Sequence, residues 1–85
     1  MSNASRKFSS MVLRIDVHDN RIEILDGLWP LRKRQVIPFR NIATVGVGQW
    51  TKRLEITTND GKTLRYAFDN TAKTRRCHDE IIARM

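Results

Sequence analysis

The chain has 85 residues, with 16 Lys and Arg against 9 Asp and Glu, so its formal charge is +7. That length holds one small domain with one thin core and leaves no room for a cofactor domain beside a substrate domain. Its apolar runs fall far short of the roughly 20 residues of a membrane-spanning helix, residues 1–10 lack the apolar segment of a secretory signal, and a single cysteine, Cys77, excludes an internal disulfide or a cysteine-based metal cluster.

Hydrophobic content of 40% with 29% charged residues fits a folded chain rather than a disordered one. Residues 1–10 are polar and small apart from Phe8 and read as a flexible tail, with Ser2-Asn3-Ala4 as a vector-derived scar. One domain is expected over 11–85. Met11, Leu13, Ile15 and Val17 alternate with Val12, Arg14, Asp16 and His18, the period of a half-buried strand. Asp19-Asn20 supplies a turn, and Ile22 and Ile24 then alternate with Arg21 and Glu23, so 11–25 predicts a β-hairpin. After the Asp26-Gly27 turn, Pro30 interrupts the apolar piece Leu28-Trp29-Pro30-Leu31, because proline cannot donate to a sheet ladder. Arg32, Lys33 and Arg34 follow directly. Gln35-Val36-Ile37 is held extended by Pro38, and Phe39-Arg40-Asn41 reads as a short turn.

Ile42 to Val47 is rich in β-branched residues and predicts a strand, with Gly46 and Gly48 suggesting a bulge or a close backbone approach. Leu54 and Ile56, then Leu64, Tyr66 and Phe68, alternate with polar residues on either side of Asn59-Asp60-Gly61, a strong hairpin signal. The period changes after Asp69. Asn70 or Thr71 is a capping residue, and Cys77, Ile81 and Met85 fall on one face of a helix over 71–85, flanked by Thr74, His78 and Ile82. The fold class is therefore mainly β: an antiparallel meander of six to seven strands forming a small, partly open barrel, with one C-terminal amphipathic helix.

This order resembles a pleckstrin-homology-like (PH-like) domain of the bacterial group. The resemblance is carried by the step Ile37-Pro38-Phe39-Arg40-Asn41-Ile42-Ala43-Thr44-Val45, the hairpin around Asn59-Asp60-Gly61 and the helix over 71–85. It covers roughly 11–85 and consists of spacing and residue type. It implies seven strands, the Leu28–Leu31 piece being the candidate for the seventh, and a binding or assembly module without catalysis. No lipid-binding residue is carried over from it.

The residues themselves argue against an enzyme. His18 and His78 are the only histidines; His78 adjoins Cys77 on the helix and points about 100° away from it, and Cys77 lies on the predicted core face, where a thiol is ordinary packing. Cys77, His78 and Asp79 are consecutive and scatter around the helix, so they make no zinc site, and Gly46-Val47-Gly48 is too short for a phosphate loop. Asp16, Asp19 and Asp26 read as turn and surface carboxylates. No cofactor is expected. One thiol and no export signal suggest the cytoplasm, with a peripheral position at the membrane as the variant.

The candidate interaction residues are Trp29, Leu31, Arg32, Lys33 and Arg34, with Trp50 in a second polar loop. A protein partner or a second copy of the chain would bury Trp29 as an anchor and pair the cations with carboxylates; exposed strand edges and Trp50 point the same way. An anionic membrane would be met through the 28–34 loop, with Trp29 and Leu31 at headgroup level and the cations facing anionic lipid. A nucleic acid would use the cations on phosphate and stack on Trp29, although cations are spread over every element instead of forming one stripe. In a fourth reading Trp29 closes one end of the barrel and the cations are solvated. Self-association is favoured over lipid, since three clustered cations are one membrane signal and stable anchoring takes two.

Overall fold

Alternating apolar residues in the first half of the chain build a four-stranded antiparallel sheet. In the computed structural model, which describes residues 5–28 and 30–85, its strands are β1 (Arg6–Ser9), β2 (Leu13–Val17), β3 (Arg21–Asp26) and β4 (Lys33–Pro38), in that spatial order. Register places Ile15 opposite Ile24 and Val17 opposite Ile22, so one face of the sheet is aliphatic. A single turn, Phe39–Asn41, leads into a three-stranded antiparallel sheet of β5 (Ile42–Val47), β6 (Leu54–Thr58) and β7 (Thr63–Tyr66). Helix α1 (Thr71–Arg84) closes the order. The molecule is thus mainly β, a seven-stranded meander in two sheets with a C-terminal helix, and the sheets do not close into a barrel.

The sheets share one core of Leu13, Ile15, Val17, Ile22, Ile24 and Ile37 from the first, Ile42, Leu54, Ile56 and Tyr66 from the second, and Cys77 and Ile81 from the helix. Each fully buried aliphatic side chain of this kind contributes roughly 1.5–3 kcal/mol of transfer free energy. Asn70 caps the helix by accepting the Lys73 N–H at 2.7 Å. The helix packs against β1 and β2 of one sheet and β5 and β6 of the other, so it covers the side on which β1 and β5 are the terminal strands.

Three expectations are corrected. Arg6–Ser9, read as part of a flexible tail, is strand β1, paired to β2 with Phe8 opposite Ile15 and packed on the core; the pairing is tertiary and leaves little periodic trace in Arg6-Lys7-Phe8-Ser9. The domain accordingly includes residues before 11, while the scar reading of 2–4 lies outside the described residues. Strand β1, rather than the Leu28–Leu31 piece, is the seventh strand; Leu28, Pro30 and Leu31 lie in a turn. Met11 and Met85 are exposed instead of buried, because β2 begins at Leu13 and the helix ends before Met85. Gly48 does mark a close approach, since a Cβ there would collide with the Thr51 hydroxyl, but the bulge of β5 falls between Ile42 and Thr44.

Candidate interaction site

Two turns, one before and one after the β2–β3 hairpin, project from one end of the four-stranded sheet. The β1–β2 turn carries Met11 and Val12, and the β3–β4 turn carries Leu28 and Leu31. They are tied together by the Gly27 N–H, which donates to the Val12 carbonyl at 2.9 Å. Gly27 has φ +103°, and a Cβ there would stand 3.1 Å from the Leu31 carbonyl oxygen, so the tight β3–β4 turn selects glycine. Met11 is 87% exposed, Leu31 82% and Leu28 60%. Arg32, at the end of this turn, and Lys33, the first residue of β4, are exposed, and neither forms an ion pair among the described residues. The result is an apolar end with cations beside it.

Of the residues singled out by sequence, Leu31, Arg32, Lys33 and Arg34 are contiguous here. Arg34 turns onto the outer sheet face and reaches Glu23 at 3.3 Å. Trp29 lies outside the described residues. Trp50 is 87% exposed but occupies the β5–β6 turn of the other sheet, and no hydrogen bond or ion pair among the described residues joins that turn to 30–34. Met11 and Val12 are the residues of this end that sequence reasoning missed, whereas Leu28 belongs to the 28–34 loop it singled out. Their signal was the two short apolar breaks flanking one hairpin, which become neighbours only once β2 and β3 pair.

A second cluster lies on the outer face of the same sheet. Asp16 and Glu23 are cross-strand partners, His18 follows two residues after Asp16, and their ligand atoms lie within 4.8 Å of one another. The His18 Nε2 atom is buried without a hydrogen-bond partner and stands 3.6 Å from Glu23. The surroundings are wrong for a cation. Arg14 holds Asp16 at 3.0 Å, and Arg21 and Arg34 approach Glu23 at 3.5 and 3.3 Å. Three guanidiniums against two carboxylates leave +3 − 2 = +1 before any metal arrives. Desolvation alone would raise the Glu23 carboxyl, but Arg34, His18 and Arg21 outweigh it and hold the group below its ordinary value. The cluster is a charge ladder on a solvated sheet face.

Cys77 is fully buried, and its thiol is pushed up to about 12 by desolvation and, second, by Glu80. Such a thiol carries almost no thiolate near neutrality and makes a poor nucleophile. Many cations scattered over the surface are paired locally: Arg65 to Glu55 at 3.0 Å, Lys73 to Asp69 at 2.9 Å, Arg84 to Glu80 at 2.7 Å and Asp19 at 3.2 Å. No described helix is long and apolar enough to cross a membrane. Comparison with protein-family models, curated proteins and solved structures gives no match.

Proposed function

We propose that this chain is a noncatalytic binding or assembly module that docks its Met11–Leu31 end on a protein partner or on a second copy of itself. The observation that carries this reading is the gathering of Met11, Val12, Leu28 and Leu31, all exposed, on two turns locked to each other through Gly27 and Val12. Surface apolar residues are ordinary when scattered; grouped on a rigid sheet end, they mark a contact surface. The order of four strands, three strands and a terminal helix supports placing the chain with bacterial PH-like domains, for which a binding role without catalysis is the implied activity. The buried Cys77 thiol is in keeping with that role and with a reducing cytoplasm.

The exposed Arg32 and Lys33 beside the apolar end favour one second reading, peripheral contact with an anionic membrane. One experiment separates the two. Solution mass is measured for the wild type and for Leu31→Glu, and fluorescence is recorded for Trp50→Phe with anionic and with neutral vesicles. Docking on a second copy gives a dimer that Leu31→Glu reduces to monomer, with no vesicle response. Membrane contact gives a blue shift of Trp29 on anionic vesicles alone, weakened by salt. Nucleic acid is the third reading and predicts retention on DNA or RNA that Leu31→Glu leaves intact. A monomer indifferent to vesicles and without a Leu31-dependent protein partner contradicts the proposal.

A further inference from the structure

The terminal strands β4 and β7 flank a cleft of about 380 Å³ on the side away from the helix-covered strands. Val36, Ile37, Pro38 and Leu64 supply its apolar lining, and Thr58 and Lys62 sit toward the β6–β7 hairpin. At one end the Tyr66 hydroxyl donates to Gln35 Oε1 at 3.2 Å. At the other, Asn59 donates its backbone N–H to the Asn41 carbonyl at 2.8 Å and its side-chain amide to the Arg40 carbonyl at 2.7 Å. Side chains and a turn bridge the two strands; no ladder pairs β4 with β7.

The main-chain groups that β4 and β7 leave outside their ladders follow from the pairing pattern. In an antiparallel pair, hydrogen-bonded and non-hydrogen-bonded residue pairs alternate. Phe39 donates to the Asn20 carbonyl at 2.9 Å, so the pairs Ile22–Ile37 and Ile24–Gln35 carry the β3–β4 bonds. Arg34 and Val36 therefore turn their N–H and C=O outward, and Pro38, which has no N–H, occupies an outward position where none is missed by β3. Thr58 donates to the Lys62 carbonyl at 2.9 Å, which by the same alternation turns the N–H and C=O of Thr63 and Arg65 outward from β7. None of these four residues' main-chain groups takes part in the bonds formed outside the ladders among the described residues.

The other two terminal strands are protected. Strand β1 is short and tied to the helix by Lys73, which donates to the Ser9 carbonyl at 2.6 Å, and β5 is bulged and covered by the helix. Strand β4 has six residues, and its outward-facing Val36 is 46% exposed. The charged residues of the cleft lining are Lys62 and Asp60, both at the β6–β7 hairpin.

We infer that this cleft takes an extended peptide segment of a partner protein, which adds a strand to β4. Only a polypeptide main chain offers alternating donors and acceptors at the spacing of Arg34 and Val36. The apolar lining selects small aliphatic side chains at alternate positions. This site is separate from the Met11–Leu31 end, so either can fail without the other.

The test is a selection of random displayed peptides on the whole chain, followed by synthesis of the enriched sequences and amide NMR of the complex. The account expects enriched peptides with alternating aliphatic residues. They should perturb and protect the amides of Arg34 and Val36, and bind Val36→Pro about tenfold more weakly, since that change removes a cleft-facing N–H and no β3–β4 bond. Leu31→Glu should bind them like the wild type. If Val36→Pro fails to fold, protection of the Arg34 and Val36 amides in the wild-type complex decides. Absence of enrichment overturns the inference, as do peptides that bind Val36→Pro equally well or map elsewhere. A dimer that Val36→Pro dissociates would give the cleft to a second copy and overturn it too.

Discussion

The two sides on which the sheets meet are built differently. On one side helix α1 lies across both sheets, buries Cys77 and Ile81 completely, and clamps the β1 edge through Lys73 and Arg6, the latter 3.5 Å from Glu80. On the other side β4 and β7 stand apart, linked by Tyr66 with Gln35 and by Asn59 with the turn at Arg40 and Asn41. Apolar burial seals the first side; polar tethers hold the second while leaving main-chain groups unpaired. The difference separates the part of the molecule that maintains the fold from the part offering a partner something to complete.

The largest effects should follow from breaking the sealed side. A 1–70 fragment should lack cooperative unfolding by circular dichroism, because the core loses Cys77 and Ile81 together; a stably folded fragment would erase the contrast. Ile81→Ala should lower stability in urea by about 2–5 kcal/mol, as deletion of a buried aliphatic side chain does.

The buried thiol sharpens the same side through pH. Its folded pKa of about 12 lies above the ordinary value of 9.0, so the unfolded chain releases the proton first as pH rises. The stabilisation is fully present below 9.0 and is lost as pH rises toward about 12. Unfolding free energy should decline there by about 1 kcal/mol per pH unit, and Cys77→Ala should flatten that part of the profile. The thiol should also react slowly with thiol reagents in the native state and quickly in denaturant.

Smaller effects are expected where single polar contacts act. Asn70→Ala, which removes the helix cap, should cost about 1 kcal/mol in the same urea titration. Gln35→Ala on the open side should cost about 0.5–1 kcal/mol. A loss from Gln35→Ala as large as that from Ile81→Ala would mean that the tether, too, maintains the fold.

Local period made most elements legible. The spacing of Leu13, Ile15 and Val17, the Asn59-Asp60-Gly61 turn and the Cys77 and Ile81 stripe are each readable within a few residues, and all appear in the structure. Strand β1 was not legible, because Arg6-Lys7-Phe8-Ser9 becomes a strand through β2 alone. The proposed docking end was half legible: Leu28 to Arg34 announced themselves as one run, whereas Met11 and Val12 join them through pairing of β2 with β3. The cleft left no trace in sequence, since Val36 and Leu64 belong to different sheets and meet only through the fold.

Residue-resolved amide hydrogen exchange tests the contrast between the two sides most directly. The account predicts rapid exchange at Arg34, Val36, Thr63 and Arg65, whose N–H groups point away from the β3 and β6 ladders, beside strong protection at Ile37, Ile56, Cys77 and Ile81. Protection at Val36 and Arg65 equal to that at Ile81, in the free chain, would show that the β4–β7 side is closed and would contradict it.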